Sequence, residues 1–272
     1  MFRQPLTGTL SSMEIVLLEH LVLSAALFPV FWRTRGQWRR LKPAQWCAVL
    51  GVSWGGSALG TYFFTASIQL GNPTTAVLLQ KTQPVLGALL ARAILGERLS
   101  RAFWLWLAMA VLSAYLISFG VVLVPGLSAR AALLALAAAA MWAGAAVLGR
   151  AVLAKLSFPA LPAMRVILAV PLLGALLFAS RQSFVPPTGV ARWLYLVALA
   201  IVPGLLGLLA YYRGLQRTRA SLAVIAELSF PATAIALNWV FLGARVSPAQ
   251  LAGFLLLWLV ILNLNREGIR NA

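Results

Sequence analysis

Apolar residues in this chain come in long, nearly unbroken runs, separated by short polar stretches rich in Arg, Gly and Pro. A helix that crosses a bilayer needs about 20 mostly apolar residues. Nine runs meet that length, at 13–32, 46–68, 73–95, 102–124, 129–151, 159–179, 193–214, 220–242 and 249–265. The pattern predicts an all-α polytopic membrane protein. The connections are too short for anything but antiparallel neighbours, and no stretch remains for a soluble domain.

The pattern also repeats. Residues 72–100, NPTTAVLLQKTQPVLGALLARAILGERLS, return without a gap 147 positions later as 219–247, RASLAVIAELSFPATAIALNWVFLGARVS. Pro84 falls on Pro231, Gly96 on Gly243, Arg98 on Arg245 and Ser100 on Ser247. The same offset joins Trp46 to Trp193, Gly60 to Gly207 and Gln69 to Gln216. Shared Leu and Ala mean little between apolar helices; shared Trp, Gln, Pro, Gly and Arg mean more. The chain therefore divides into a first repeat at 1–124 with four runs and a second at 125–272 with five. The run at 13–32 aligns with 159–179 with one residue of slip, so the counterpart of 129–151 is expected before residue 1.

Composition agrees. The chain is 62% hydrophobic and 10% charged, against about 25% charged in soluble domains. The net charge of +17 is not a nucleic-acid signature, because the basic residues sit in loops and form no basic stripe interleaved with aromatics. Fourteen of them fall on one side (Arg33, Arg35, Arg39, Arg40, Lys42, Arg98, Arg101, Arg150, Lys155, Arg213, Arg217, Arg219, Arg266, Arg270) and five on the other (Arg3, Arg130, Arg181, Arg192, Arg245). Lys and Arg mark cytoplasmic loops, which predicts a cytoplasmic C-terminus and an external N-terminus. The run at 73–95 then ends inside and its copy at 220–242 outside, an inverted repeat of the kind secondary transporters use. The first dozen residues have no apolar core and are not a signal peptide. High Ala, Leu and Arg with only three lysines points to a GC-rich bacterial genome, hence to the cytoplasmic (inner) membrane.

Enzyme chemistry finds no footing. The one cysteine, Cys47, and one histidine, His20, exclude a Cys/His metal site. No GxSxG, HExxH, Walker A or dinucleotide motif is present. The expectation is a non-enzyme with no metal and no cofactor.

The run Leu95-Gly96-Glu97-Arg98-Leu99-Ser100 after a mid-helix proline resembles the fourth helix of EamA-type domains, of the drug/metabolite transporter superfamily. Leu242-Gly243-Ala244-Arg245-Val246-Ser247 is similar to the ninth, with Ala244 where the family has Glu, a departure expected to cost little in a loop. The resemblance implies a ten-helix fold of two inverted five-helix repeats, here without its first helix. It implies transport of small metabolites such as amino acids or drugs, export being the expected direction, with protons a candidate coupling ion and monomer or homodimer both open. The other reading is a truncated, inactive or scaffold membrane protein.

Five ionisable side chains within the runs stand out, Glu19, Lys81, Arg92, Arg165 and Glu227, beside His20. A charge at the bilayer centre costs about 3 kcal/mol, so such residues face a cavity or a partner. Lys81 and Glu227 stand near mid-helix at almost matching places in the two copies, Glu227 aligning with Gln80. Two readings stay open: a polar pair that handles substrate or protons, or an ion pair that holds the halves together. Gln80, Gln83, Asn238, Trp54, Tyr62, Tyr211 and Trp142 complete the substrate or proton pathway candidates. Pro84 and Pro231 are expected to kink their helices. Glu19 and Arg165 read as gating or structural charges, and Arg92 as a charge reaching for the interface.

Overall fold

The computed structural model describes residues 6, 10–70, 73–121, 128–181, 184, 186–242 and 247–270, and among these no strand occurs. Besides a single helical turn at Arg35–Trp38, the helices are α1 (Ser12–Arg33), α2 (Pro43–Leu70), α3 (Pro73–Gln80), α4 (Gln83–Leu95), α5 (Arg101–Phe119), α6 (Ala129–Val152), α7 (Ala160–Ala179), α8 (Val190–Arg217), α9 (Ala220–Ala226), α10 (Ser229–Leu242) and α11 (Pro248–Arg270). Six of the described helices, α1, α2, α5, α6, α7 and α8, are long and apolar enough to cross a membrane. Large apolar side chains such as Phe28, Leu105, Leu133, Phe178 and Leu194 are exposed along them. Such surface suits hydrocarbon rather than water.

The 147-residue repeat is written into the helix boundaries. Both ends of α2, Pro43 and Leu70, recur 147 positions later as Val190 and Arg217 of α8. Each of these helices carries a π-helical segment, Gly51–Leu59 in α2 and Ala200–Leu206 in α8, and the two segments end at equivalent residues. The pair α3 and α4 begins at Pro73 and ends at Leu95; its counterpart, α9 and α10, begins at Ala220 and ends at Leu242, again 147 positions on. The expected continuous helices at 73–95 and 220–242 are thus each broken once, just ahead of the proline.

The chain forms two compact units, and each draws on both sequence repeats. One comprises Met1–Thr65 and Gly144–Thr218, the other Ala66–Ala143 and Arg219–Ala272. In the first unit α1 packs on α7, burying Leu23 and Leu27 with Ala163 and Val166, and Val16 and Leu17 with Ala169 and Leu173. A reciprocal capping box starts α1: the Glu14 amide N–H donates to Ser11 Oγ at 3.3 Å and the Ser11 amide N–H to Glu14 Oε2 at 2.7 Å. Glu14, also within the first run, is thereby used as a helix cap.

In the second unit α5 packs on α11. A Cβ added at Gly253 would lie 2.9 Å from Leu116 Cβ, so this contact depends on the missing side chain. Ser113 Oγ donates to the Gly253 carbonyl at 2.8 Å beside it. The core there gathers Ala88, Phe103, Leu107, Ile117, Ile225 and Leu257. The apolar run expected to 124 stops as helix at Phe119, because Gly120 turns the backbone to φ 64.

Candidate functional site

In the second unit, the residues around Pro84 depart from α-helical bonding. The Lys81 N–H reaches the Leu78 carbonyl and the Thr82 N–H that of Leu79, both at 3.0 Å, which is tight i to i−3 bonding. Thr82 Oγ1 also donates to Leu79 O at 2.6 Å. Pro84 has no N–H, so the chain cannot continue the ladder and α4 restarts at Gln83. The copy breaks in the same way. The Leu228 N–H bonds Ile225 O at 2.9 Å and the Phe230 N–H bonds Glu227 O at 3.1 Å, just before Pro231. Pro231 and Asn238 lie in α10, but their side chains fall outside the described residues, as do residues 243–246 with Gly243, Ala244 and Arg245.

The polar side chains collect at these breaks. Gln83, 8% exposed, donates from Nε2 to Glu227 Oε2 at 2.5 Å. Lys81 and Gln80 are half-buried one turn away in sequence. No Lys81–Glu227 ion pair forms among the described residues: the Gln83 amide is one partner of the carboxylate, and the Lys81 ammonium has no hydrogen-bonding or ionic partner among them. The reason is geometric. Lys81 occupies the break itself, whereas Gln83 opens α4, the helix that packs on α9. That packing is close, because a Cβ at Gly87 would lie 2.8 Å from Val224 Cγ1.

The motif Leu95–Ser100 acquires a physical meaning in the same unit. Leu95 ends α4, Gly96 takes the left-handed φ of 66, and Ser100 Oγ accepts the Phe103 N–H at 3.0 Å to start α5. Glu97 between them is not idle. Its Oε1 accepts the Ala220 N–H at 2.7 Å, and its Oε2 accepts the Ser221 N–H at 3.3 Å and the Ser221 hydroxyl. It thus caps α9 from 123 residues away in sequence. Arg219 completes the joint, with Nη2 on the Arg98 carbonyl at 2.7 Å and Nε 3.9 Å from Glu97 Oε2. The small cost expected of the Glu-to-Ala departure concerns Ala244, outside the described residues; at Glu97 the carboxylate serves as a cap.

The first unit holds a second polar centre. Arg165, in α7, donates from Nε to Ser57 Oγ at 2.9 Å and from Nη1 to Tyr212 Oη at 3.0 Å, with its guanidinium 5.9 Å from the Tyr212 ring centre. The π segment of α2 builds this seat. Ser57 and Gly56 face Arg165, Ser53 Oγ donates to the Arg165 carbonyl at 2.7 Å, and Trp54 Nε1 donates to Leu168 O at 3.0 Å. Gly51 and Gly56 both lie against α6, where a Cβ would meet Leu148 at 2.7 Å and Ala145 at 2.6 Å. Their spacing of five matches the i to i+5 bonding of a π turn, a pairing that α-helical spacing does not show. Arg165 is therefore an internally bonded cation, not one that reaches for the interface.

The other candidates sit apart or play packing parts. Tyr211 stands edge-on to Tyr212 with ring centres 5.3 Å apart. Tyr62 is half-buried against the Met13–Leu17 face of α1, with its ring tilted against that of Phe63 at 5.8 Å between centres. A Cβ on Gly204, in the π segment of α8, would lie 3.4 Å from Glu19 Oε1, so Glu19 meets the second π segment as Arg165 meets the first. His20 Nδ1 bonds the Val16 carbonyl at 2.8 Å. Trp142 is half-buried in α6 and Arg92 is exposed. Ser53, Ser57 and Glu97 are the residues that sequence reasoning missed. The Ser53–Ser57 spacing was a readable polar stripe; nothing local marks Glu97 as a cap for α9. No group of His, Cys, Asp and Glu among the described residues is suited to a metal ion.

Comparison with known proteins fits this architecture. A riboflavin transporter, ImpX of Fusobacterium nucleatum, is 30% identical over 219 residues, covering 78% of this chain and 73% of that protein. A solved crystal structure overlays with a TM-score of 0.81 at 21% identity, covering 97% of this chain and 90% of its own, which shows a shared fold. Two stretches of the chain, residues 1–119 and 129–266, match the EamA-like transporter family. These stretches correspond to the two copies of the repeat, and the chain belongs to that family: a multi-pass, small-molecule transporter and not an enzyme.

Proposed function

We propose that this protein is a secondary carrier of small metabolites that works by alternating access between the inverted repeats 1–124 and 125–272, in a bacterial cytoplasmic membrane with its C-terminus inside. The observation that carries the reading is the pair of helices broken at matching places, with Lys81, Gln83 and Glu227 at the breaks. Discontinuous helices at equivalent points of two repeats are where secondary carriers place substrate and coupling ions. Lys81 is the residue proposed to meet an anionic or carbonyl group of the substrate, and Glu227 the residue proposed to exchange a proton. Gln83 holds the carboxylate in place. Gln80, Asn238, Trp54, Tyr62, Tyr211 and Trp142 remain candidates for the pathway wall.

Substrate choice follows the comparisons. The relative named as a riboflavin transporter makes riboflavin the first compound to test, a flat aromatic ring system bearing carbonyls and a hydroxylated chain. Amino acids, the class implied by the family resemblance, come second. The test is flux of labelled riboflavin and of labelled amino acids across proteoliposomes, in both directions, with and without an imposed pH gradient. Saturable flux that falls at least about tenfold in Lys81→Ala and loses its dependence on the pH gradient in Glu227→Gln is the expected result. Flux no greater than in empty liposomes for every compound sinks the carrier reading for these classes and favours an inactive or scaffold role. Flux that ignores pH in the unmodified protein removes the proton from the mechanism.

A further inference from the structure

Away from the broken helices, the first unit carries a cavity of about 540 Å³ lined by Arg33, Gln37, Arg40, Lys42, Gln45 and Lys155, among others. Four exposed cations thus line one concavity, and no acidic residue lines it among the described residues. None is close in sequence either. The only carboxylate side chains in the chain are Glu14, Glu19, Glu97, Glu227 and Glu267, so the whole stretch from 20 to 96 has none. The surrounding backbone is held in shape. Gln37 Oε1 accepts both the N–H and the hydroxyl of Ser157, at 2.9 and 3.0 Å, which ties the 34–42 turn to the segment bearing Lys155. The Lys42 N–H donates to Gln45 Oε1 at 2.8 Å. Trp38 stacks on Phe31 at 5.1 Å, meets Trp46 edge-on at 6.1 Å and donates from Nε1 to the Phe31 carbonyl at 3.2 Å.

Aromatic side chains flank the cavity along α1. Phe28 and Trp32, exposed on α1, lead up to it, and Arg35 lies 5.0 Å over the Trp32 ring. Trp and Arg alternating at a helix end mark the level of lipid headgroups. Two guanidinium forks and two ammonium groups around a vacancy of this size match a phosphate ester, which accepts several charge-assisted hydrogen bonds at once. Like charges so gathered repel one another, and a shared anion relieves that repulsion.

We propose that this cavity is a binding site for a phosphate-bearing anion, with Arg33, Arg40, Lys42 and Lys155 as its ligands, and that its natural occupant is the headgroup of an anionic phospholipid. The chain offers its own reporter. Cys47 is the sole cysteine, is exposed, and lies two residues past Gln45. An environment-sensitive fluorophore on Cys47 of the full-length protein in neutral detergent is titrated with phosphatidylglycerol, with phosphatidylcholine and with inorganic phosphate. The expected result is a saturable response to phosphatidylglycerol and none to phosphatidylcholine. Neutralising Arg40, Lys42 and Lys155 to Gln together weakens it on the order of a hundredfold, at about fivefold per basic residue. Lys42→Arg with Lys155→Arg keeps it. Neutralising Arg39, Arg213 and Arg217, exposed cations outside the cavity lining, changes it by less than about threefold. A response to inorganic phosphate that competes with phosphatidylglycerol supports the same phosphate chemistry and makes free phosphate an alternative source. Equal responses to the two lipids, or equal losses in the two triple variants, overturn the proposal, the second by showing diffuse attraction to net charge. None of these residues stands at the helix breaks, so the outcome is independent of the transport assay.

Discussion

Arg165 and Lys81 are both cations placed inside apolar helices, and the protein treats them in opposite ways. Arg165 is held by the Ser57 and Tyr212 hydroxyls with the Tyr212 ring alongside, in a seat shaped by a π segment and by a glycine. Lys81 stands where a helix breaks, half-buried, with no partner among the described residues. A cation whose donors are used within the fold is part of the fold. A half-buried cation at a discontinuity is by default a candidate to be met by a ligand, a water or a change of protonation. Of the gating and structural readings open for Arg165, its bonds to Ser57 and Tyr212 support the structural one, and Lys81 is the cation proposed to meet substrate.

Opposite signs of stability change are the sharpest way to break this contrast. Arg165→Met removes the donors from Ser57 and Tyr212 and leaves buried hydroxyls behind, at about 1–3 kcal/mol for each lost buried partner. The midpoint of thermal unfolding in detergent should fall by the largest margin of any variant named here, and Arg165→Lys should recover part of it because an ammonium reaches only one partner well. A wild-type midpoint in Arg165→Met together with lost flux would reverse the assignment and make Arg165 a functional cation. Lys81→Met should do the reverse. It removes a charge with no partner among the described residues, worth up to about 3 kcal/mol on membrane-insertion scales, so the midpoint is expected to hold or rise while flux collapses. A lowered midpoint in Lys81→Met would mean that the ammonium is bonded in the working protein and is structural after all.

Much of this architecture was legible in the sequence because its causes are local. Apolar length set the helices, and Pro84 and Pro231 marked the breaks to within a few residues. Repeat spacing located the matching elements, to the residue at Pro43 and Val190. The polar positions inside the runs singled out Glu227 and Gln83, but their mutual bond was hidden. Which of Gln80, Lys81 or Gln83 meets Glu227 depends on how the chain turns through three residues of i to i−3 bonding, and charge complementarity pointed to Lys81 where helix direction selects Gln83. The π segments were hidden for a similar reason. Glycines spaced by four invite an α-helical reading of their faces, yet the pair that meets α6 is Gly51 and Gly56. Helix caps supplied from 123 residues away leave no trace in the local pattern at all.

Glu97 supplies the finest test of the division between bonded and open charges, since it is a loop carboxylate that looks dispensable and is fully engaged. Its side chain is 10% exposed and receives the first two amides of α9 with the Ser221 hydroxyl. Side-chain caps are typically worth about 1 kcal/mol. Glu97→Ala should therefore lower the unfolding midpoint less than Arg165→Met does, and speed hydrogen exchange at the Ala220 and Ser221 amides in particular. Glu97→Gln keeps one acceptor oxygen and should give about half the effect. Neither change touches the breaks at Lys81 and Glu227, so the concentration of substrate at half-maximal flux should stay as in the unmodified protein. If that concentration shifts while the two amides stay protected, Glu97 acts on substrate and not through the cap. Charges that the fold has already satisfied would then no longer be separable from those that do the transport.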